Sequence, residues 1–228
     1  MIRTITRNKP MEELEKLWRE FDRLFVIGCG TCATMCRTGG QEEVKKMVKH
    51  LTDAGKLITG SMIIPVACDE LTKETLEEHA EAIESAQALV VMACAFGVQT
   101  VTSSLKKYVI PALDTLFIGK ESAPGTFEEI CTQCGQCVLG MTAGICPITS
   151  CHKGLLNGPC GGTNNGKCEV DPDKDCAWTL IYNRLKEMGK LDLMSIYQPP
   201  RNHNIEPKPG KAFIPYEEER SEEHAGEL

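Results

Sequence analysis

The first half of this sequence predicts an α/β fold with a mostly parallel sheet. A cysteine-rich, irregular unit and an extended tail are expected to follow it. Three observations carry that expectation. Short apolar runs alternate with helix-period segments up to about residue 118. One of those runs, residues 88–93 (ALVVMA), is apolar throughout, as a strand buried on both faces should be. Eight of the 13 cysteines crowd between Cys131 and Cys176, where periodicity stops. The chain of 228 residues accordingly divides into residues 1–120, 121–190 and 191–228.

The elements follow in order. Residues 11–21 (MEELEKLWREF) read as an amphipathic helix and residues 23–27 (RLFVI) as the first strand. Residues 41–54 place Val44, Met47, Val48 and Leu51 at helical spacing, with Gly55 as a stop. Residues 57–67 contain a second strand, and residues 72–85 form a helix with Thr72 as its N-cap. After the third strand at 88–93, a helix covers residues 98–108 and a fourth strand residues 112–118. The alternation ends near residues 119–125. Residues 131–176 are dense in Cys, Gly, Thr and Asn and need a staple, because they offer little apolar material for a core. Residues 177–188 (AWTLIYNRLKEM) form a closing helix stopped by Gly189. From Gln198 the chain carries PP, PKPG and an acidic run, the composition of an extended tail.

Composition narrows the function. A net charge of −7 without a Lys/Arg run argues against nucleic acid as a partner. The first ten residues lack the apolar core of a secretory signal, and no apolar run approaches the roughly 18 residues of a membrane span. A cytoplasmic protein without membrane contact is expected. There, thiols stay reduced, so thirteen cysteines point to metal or cluster ligation rather than disulfides.

Five cysteines belong to the α/β half. Cys29, Cys32 and Cys36 follow the first expected strand with C-x2-C-x3-C spacing. Cys68 follows the second and Cys94 the third. The carboxyl ends of parallel strands form one rim, where ligands bind, so these five thiols are expected to converge. Gly28, Gly30 and Gly97 would let backbone approach and point N–H groups at sulfur. Four thiolates suffice for a cubane or a zinc ion. Cys29 is the expected surplus, since the first residue past a strand still points into the sheet. Core packing is the competing reading for Cys68 and Cys94. Gly28-x-Gly30-x-x-Ala33 also resembles a dinucleotide fingerprint, but Cys68 stands where the acidic ribose ligand belongs.

The second group is Cys131, Cys134, Cys137, Cys146, Cys151, Cys160, Cys168 and Cys176. The C-x2-C-x2-C triple offers three thiolates to one cubane, with a fourth ligand arriving from afar, and the proline after Cys146 is a ferredoxin-like feature. Eight ligands fit two [4Fe–4S] clusters; two structural zinc ions need the same thiolates. Sequence leaves the pairing of cysteines to centres open. GPCGG at residues 158–162 would bring backbone N–H groups to a sulfur centre. His152 reads as a surface residue. No catalytic acid, base or nucleophile stands out.

The string CTQCGQCVLGMTAGICPITSCHKGLLNGPCGGTNNGKCEV, with CAWTLIYNRL after it, resembles the methylenetetrahydrofolate reductase C-terminal domain. GCGTCATMC…TGG and ACAFGVQT resemble the N-terminal half of the same family, the small subunits of acetogen-type methylenetetrahydrofolate reductase. The resemblance implies a partner, a larger flavin-binding subunit holding FMN or FAD that reduces methylenetetrahydrofolate to methyltetrahydrofolate in the Wood–Ljungdahl pathway. It implies that this chain is a non-catalytic, iron–sulfur electron-transfer subunit of that oxidoreductase complex. Two [4Fe–4S] clusters would sit in the cysteine-rich unit and a third in the α/β unit. The donor would be ferredoxin or a heterodisulfide reductase-like complex. The alternative is a structural zinc subunit that only stabilises the flavoprotein.

Overall fold

The computed structural model describes residues 4–202. The PKPG segment and the acidic end of the chain lie outside the described residues.

Four strands form a wholly parallel sheet: β2 (Arg23–Cys29), β3 (Leu57–Ile64), β4 (Ala88–Met92) and β5 (Tyr108–Pro111). Their order is β3-β2-β4-β5. The chain leaves β2 toward one edge and returns on its other side, so the direction reverses between β2 and β4. The crossovers run through α2 (Cys32–Met35) and α3 (Gln41–Asp53), then α4 (Thr72–Glu77) and α5 (Ala80–Ser85), then α6 (Ala95–Ser104).

Both faces of this sheet are covered, which explains the uninterrupted apolar runs. Successive side chains of a strand point to opposite faces. Leu24, Val26, Val90 and Met92 therefore pack with Val44, Met47 and Leu51 of α3 and with Leu14 and Trp18 of α1 (Met11–Trp18). Phe25, Ile27, Leu89 and Val91 pack on the other face with Leu76, Ile83 and Val101. Phe25, Val26, Ile27, Val90 and Val91 are fully buried.

A second, antiparallel sheet has the order β1-β6-β7, with β1 at Thr4–Asn8, β6 at Leu113–Ala123 and β7 at Thr126–Cys131. This sheet corrects the sequence reading in two ways. The fourth parallel strand is β5, which takes the end of the segment read as helix, since α6 stops at Ser104. The run at 112–118 belongs instead to β6, which continues through residues 119–123 and turns at Gly125 (φ +76°). Two smaller differences accompany it. The helix read over residues 72–85 breaks into α4 and α5 around His79. Thr72 does not cap it; the Thr72 hydroxyl donates to the Val66 carbonyl at 3.2 Å.

The antiparallel sheet sits against the carboxyl rim of the parallel one. Thr6 and Thr38 join β1 to the loop after α2, and Ala95 at the start of α6 donates to the Thr115 hydroxyl on β6 at 2.8 Å. Beyond β7 come a short 3-10 turn at Leu139–Met141, α7 (Pro147–Ser150), α8 (Ala177–Glu187) and a second 3-10 turn at Leu191–Ser195. This part has its own small core, in which Trp178, Ile181 and Leu185 are buried and Trp178 Nε1 donates to the Leu155 carbonyl at 2.9 Å. Among the described residues, no helix is long and apolar enough to cross a membrane.

Candidate metal centres

All thirteen cysteines are thiols without a disulfide partner. The fold distributes them over three places.

The first is the rim of the parallel sheet. Cys29 ends β2, Cys32 opens α2, Cys68 follows β3, and Cys94 stands as the N-cap of α6 directly after β4. Cys68 reports their proximity. Partial burial pushes its thiol above the ordinary value although it is exposed at one side, and Cys94, Cys29 and Cys32 add repulsion in that order. Cys36 is set apart rather than Cys29. It caps the carboxyl end of α2, and its sulfur lies 3.7 Å from the Thr4 carbonyl of β1, to which the thiol donates. Cys29, the expected surplus, is buried yet contributes to the field at Cys68.

The rim glycines serve packing rather than N–H···S contact at the one amide that is assigned: Gly30 donates to the Ile64 carbonyl at 2.8 Å. Gly39 is the tightest position. A Cβ there would collide with the Met92 carbonyl, so the loop from α2 to α3 lies backbone to backbone on the end of β4. The dinucleotide reading loses its footing here. Its phosphate would need the start of a long helix, and α2 has only 4 residues.

The second place is the loop following β7. Cys131 is the last residue of β7, and its sulfur accepts the Gln133 amide at 3.3 Å. Gln133 and Gly135 both adopt left-handed backbone (φ +56° and +69°), which folds the C-x2-C-x2-C stretch into a tight loop. The Cys134 thiol donates to the Gln136 carbonyl at 3.6 Å. Cys146 is the N-cap of α7, with Pro147 behind it in the first turn, where its missing N–H costs nothing. α7 packs on β7, and the Thr149 hydroxyl reaches the Ile130 carbonyl at 3.4 Å. That contact returns Cys146 toward the strand that ends in Cys131. Residues past α8 close over the loop: Arg201 donates to the Cys134 carbonyl at 3.2 Å, and the Asn202 amide to Gln136 Oε1 at 3.0 Å.

The third place gathers the remaining four. Cys151, Cys160, Cys168 and Cys176 line one cavity of about 20 Å³, with Thr163, Glu169 and Trp178 beside them. Bridges pairing Asn164 with Lys167 and Lys167 with Asp175 fold the intervening chain back on itself, so that Cys168 and Cys176 lie on neighbouring segments. Gly162 donates its amide to the Cys160 sulfur at 3.4 Å, the N–H···S contact that GPCGG suggested. The Cys160 thiol donates to Glu169 Oε1 at 3.6 Å, and Glu169 is ion-paired with Lys153. Cys176 is the N-cap of α8. Burial works against its thiolate. Hydrogen bonds from the Thr179 hydroxyl and amide, the Thr163 hydroxyl and the Trp178 amide outweigh burial and hold the thiol below its ordinary value. Thr163, Thr179 and Glu169 carry no motif, and sequence reading passes over them. His152 stands outside, partly exposed, with Nε2 3.6 Å from Asp171.

The donor chemistry of each place is all-thiol, which suits tetrahedral zinc or an iron–sulfur cluster. Among the described residues, however, no three Cys, His, Asp or Glu side chains stand close enough to hold a metal ion as placed. Metal binding at any of these places would have to draw the sulfurs inward.

A chain of this kind, an α/β unit with thiols on its rim joined to a cysteine-lined C-terminal unit, defines a thiolate-rich α/β protein. Residues 110–204 match the family described as "Methylene-tetrahydrofolate reductase C terminal". The match relates that segment, from β5 to just beyond Asn202, to methylenetetrahydrofolate reductase. No curated protein matches the chain. No solved structure matches it.

Proposed function

We propose that this chain is the iron–sulfur electron-transfer subunit of a methylenetetrahydrofolate reductase complex. The observation that carries the reading is the gathering of Cys151, Cys160, Cys168 and Cys176 around one cavity, supported by the influence of Cys94, Cys29 and Cys32 on Cys68 at the sheet rim. Cys29, Cys32, Cys68 and Cys94 would hold one centre, Cys131, Cys134, Cys137 and Cys146 a second, and Cys151, Cys160, Cys168 and Cys176 a third. The segment related to methylenetetrahydrofolate reductase includes the last two places. When bound, [4Fe–4S] clusters would supply one-electron transfer between a donor protein, a ferredoxin or a heterodisulfide reductase-like complex, and the FMN or FAD of a larger partner subunit.

The residues of this chain have defined parts in that arrangement. The Gly162 amide and the Thr163 and Thr179 hydroxyls donate toward the sulfurs of Cys160 and Cys176, which stabilises the anionic thiolates that ligation requires. Glu169, beside Cys160, can take the proton that the thiol gives up, while Lys153 balances its charge. The β6–β7 hairpin touches the rim at Thr115 and ends at Cys131, so one element spans from the first place to the second.

A structural zinc ion is the second reading for the third place, on account of its size. A cavity of about 20 Å³ has room for roughly one water-sized particle, which suits a single ion better than a cubane. Anaerobic iron, sulfide and zinc analysis of the purified complex, with EPR before and after reduction, decides between them. About twelve irons per chain with signals from reduced cubanes is the expected result, and about eight with one zinc would restrict the relay to the first two places. Full activity of the complex after loss of every iron overturns the electron-transfer role.

A further inference from the structure

A cavity of about 400 Å³ lies between α1, α3, β1, the loop that follows α2 and the end of β4, and no cysteine lines it. Its size is that of a small-molecule site. Its apolar surface comes from Met11, Met47 and Met92, side chains that adapt to a flat aromatic guest, together with Leu14 and Ala112. Its charge comes from Arg37, Lys46 and Lys9, with Glu43 as the one carboxylate.

These charges are not equivalent. Lys9 is taken up by Glu13 and Asp114, at 2.6 and 2.8 Å. Glu43 accepts the Gly40 amide at 3.1 Å as part of the cap of α3. The other lysines of that helix wall are matched as well, Lys45 by Glu42 and Lys49 by Asp53. Among the described residues, neither the Arg37 guanidinium nor the Lys46 ammonium forms a hydrogen bond or a salt bridge, although Lys46 acts at longer range on Glu42, which Lys45 holds directly. His50 lines the same wall, and its Nε2 makes no hydrogen bond among the described residues but stands 3.9 Å from Glu15 Oε1.

Arg37 carries a second signal. It follows the C-cap of α2 with φ +54°, and the amides of Arg37 and Thr38 close the helix end on the carbonyls of Thr34 and Ala33. That position ordinarily belongs to glycine. Arginine there strains the backbone without improving the turn, so its value lies in where the side chain is held: on the wall of a methionine-lined cavity that Lys46 also lines.

We propose that this cavity binds an aromatic mononucleotide, with the base on the methionine floor and the phosphate between Arg37 and Lys46. The arginine fork takes two phosphate oxygens and the lysine a third.

The test is calorimetric titration of the full chain with AMP and GMP, and with adenosine and inorganic phosphate as the two halves of the ligand. The nucleotides are expected to bind at least tenfold more tightly than either half. Arg37→Gly is expected to abolish that advantage while the melting temperature stays the same or rises, since glycine relieves the backbone. Lys46→Ala should weaken binding severalfold, and Lys49→Ala, on the same helix but matched by Asp53, should leave it unchanged. Absence of nucleotide binding at millimolar concentration overturns the proposal. Phosphate binding as tightly as AMP, or unchanged AMP binding by Arg37→Gly, overturns it too.

Discussion

The hydroxyls of Thr6 and Thr38 meet at 2.6 Å, with both residues buried. Thr6 belongs to β1, and Thr38 lies two residues past Cys36 in the loop between α2 and α3. Thr38 Oγ1 also reaches the Ala33 carbonyl at 3.2 Å. The contact therefore pins the cysteine-bearing loop to the antiparallel sheet. Replacing Thr38 by Val leaves the Thr6 hydroxyl buried without this partner, at a cost of about 1–3 kcal/mol. The double replacement Thr6→Val, Thr38→Val should cost less than the two singles added, because no orphan hydroxyl remains. Urea unfolding of the four proteins in the cycle checks this. Strict additivity would show that the two hydroxyls do not interact.

A second tie, which joins the antiparallel sheet to α1, has a pH signature. Lys9 Nζ donates to Asp114 Oδ1 and Glu13 Oε1. The hydrogen bond from Lys9 is the largest cause holding the Asp114 carboxyl below its ordinary value, and the bond to Asp114 is the largest cause raising Lys9. A depressed carboxyl contributes stability that is present above its unfolded value and is lost as pH falls through its folded value. A raised amine contributes stability that is present below its unfolded value and is lost as pH rises through its folded one. The pair therefore contributes fully between about pH 5 and 9 and fades below about pH 4 and above about pH 11. Asp114→Asn should cost about 1 kcal/mol at pH 7, in keeping with a partly exposed pair. The difference from the parent protein should shrink toward pH 3. Equal losses at pH 7 and pH 3 would assign the effect to packing instead of charge.

The parallel sheet was legible because its strands are buried on both faces and read as continuous apolar runs, 24–27 and 88–92 above all. The antiparallel sheet was not. β1 is TITRN, five residues with no strong alternation, and its partner β6 is more than a hundred residues away. Nothing local marks such a pairing. The thiols followed the same division. Convergence at the carboxyl rim follows from parallel topology alone, so Cys29, Cys32, Cys68 and Cys94 were within reach of the sequence. The separation of Cys36 depends on where a helix of 4 residues ends and on a carbonyl of the unforeseen β1. The grouping of Cys151, Cys160, Cys168 and Cys176 depends on isolated bridges around Lys167, which have no sequence period to betray them.

On the proposed function, the C-terminal unit should fold only when metal is bound. Its apolar core consists of Trp178, Ile181 and Leu185 with partly buried neighbours, whereas the parallel sheet buries full rows of side chains on both faces. Cys151 and Cys176 pack against that small core, and Cys176 starts α8, the helix that carries all three core residues. A thiolate centre contributes folding free energy on the order of 10 kcal/mol for structural zinc, more than three buried side chains supply at roughly 2 kcal/mol each. Stripping the metal with a chelator should therefore unfold α8 and the loops before it, and leave β2 and β4 intact. Amide hydrogen exchange reads this residue by residue. Expected is loss of protection at Ile181–Leu185 after stripping, recovery on restoring iron and sulfide or zinc, and unchanged protection at Phe25–Ile27 and Leu89–Val91. Protection of α8 that survives stripping would show that packing alone holds this unit, and the thiols would then serve chemistry without serving the fold.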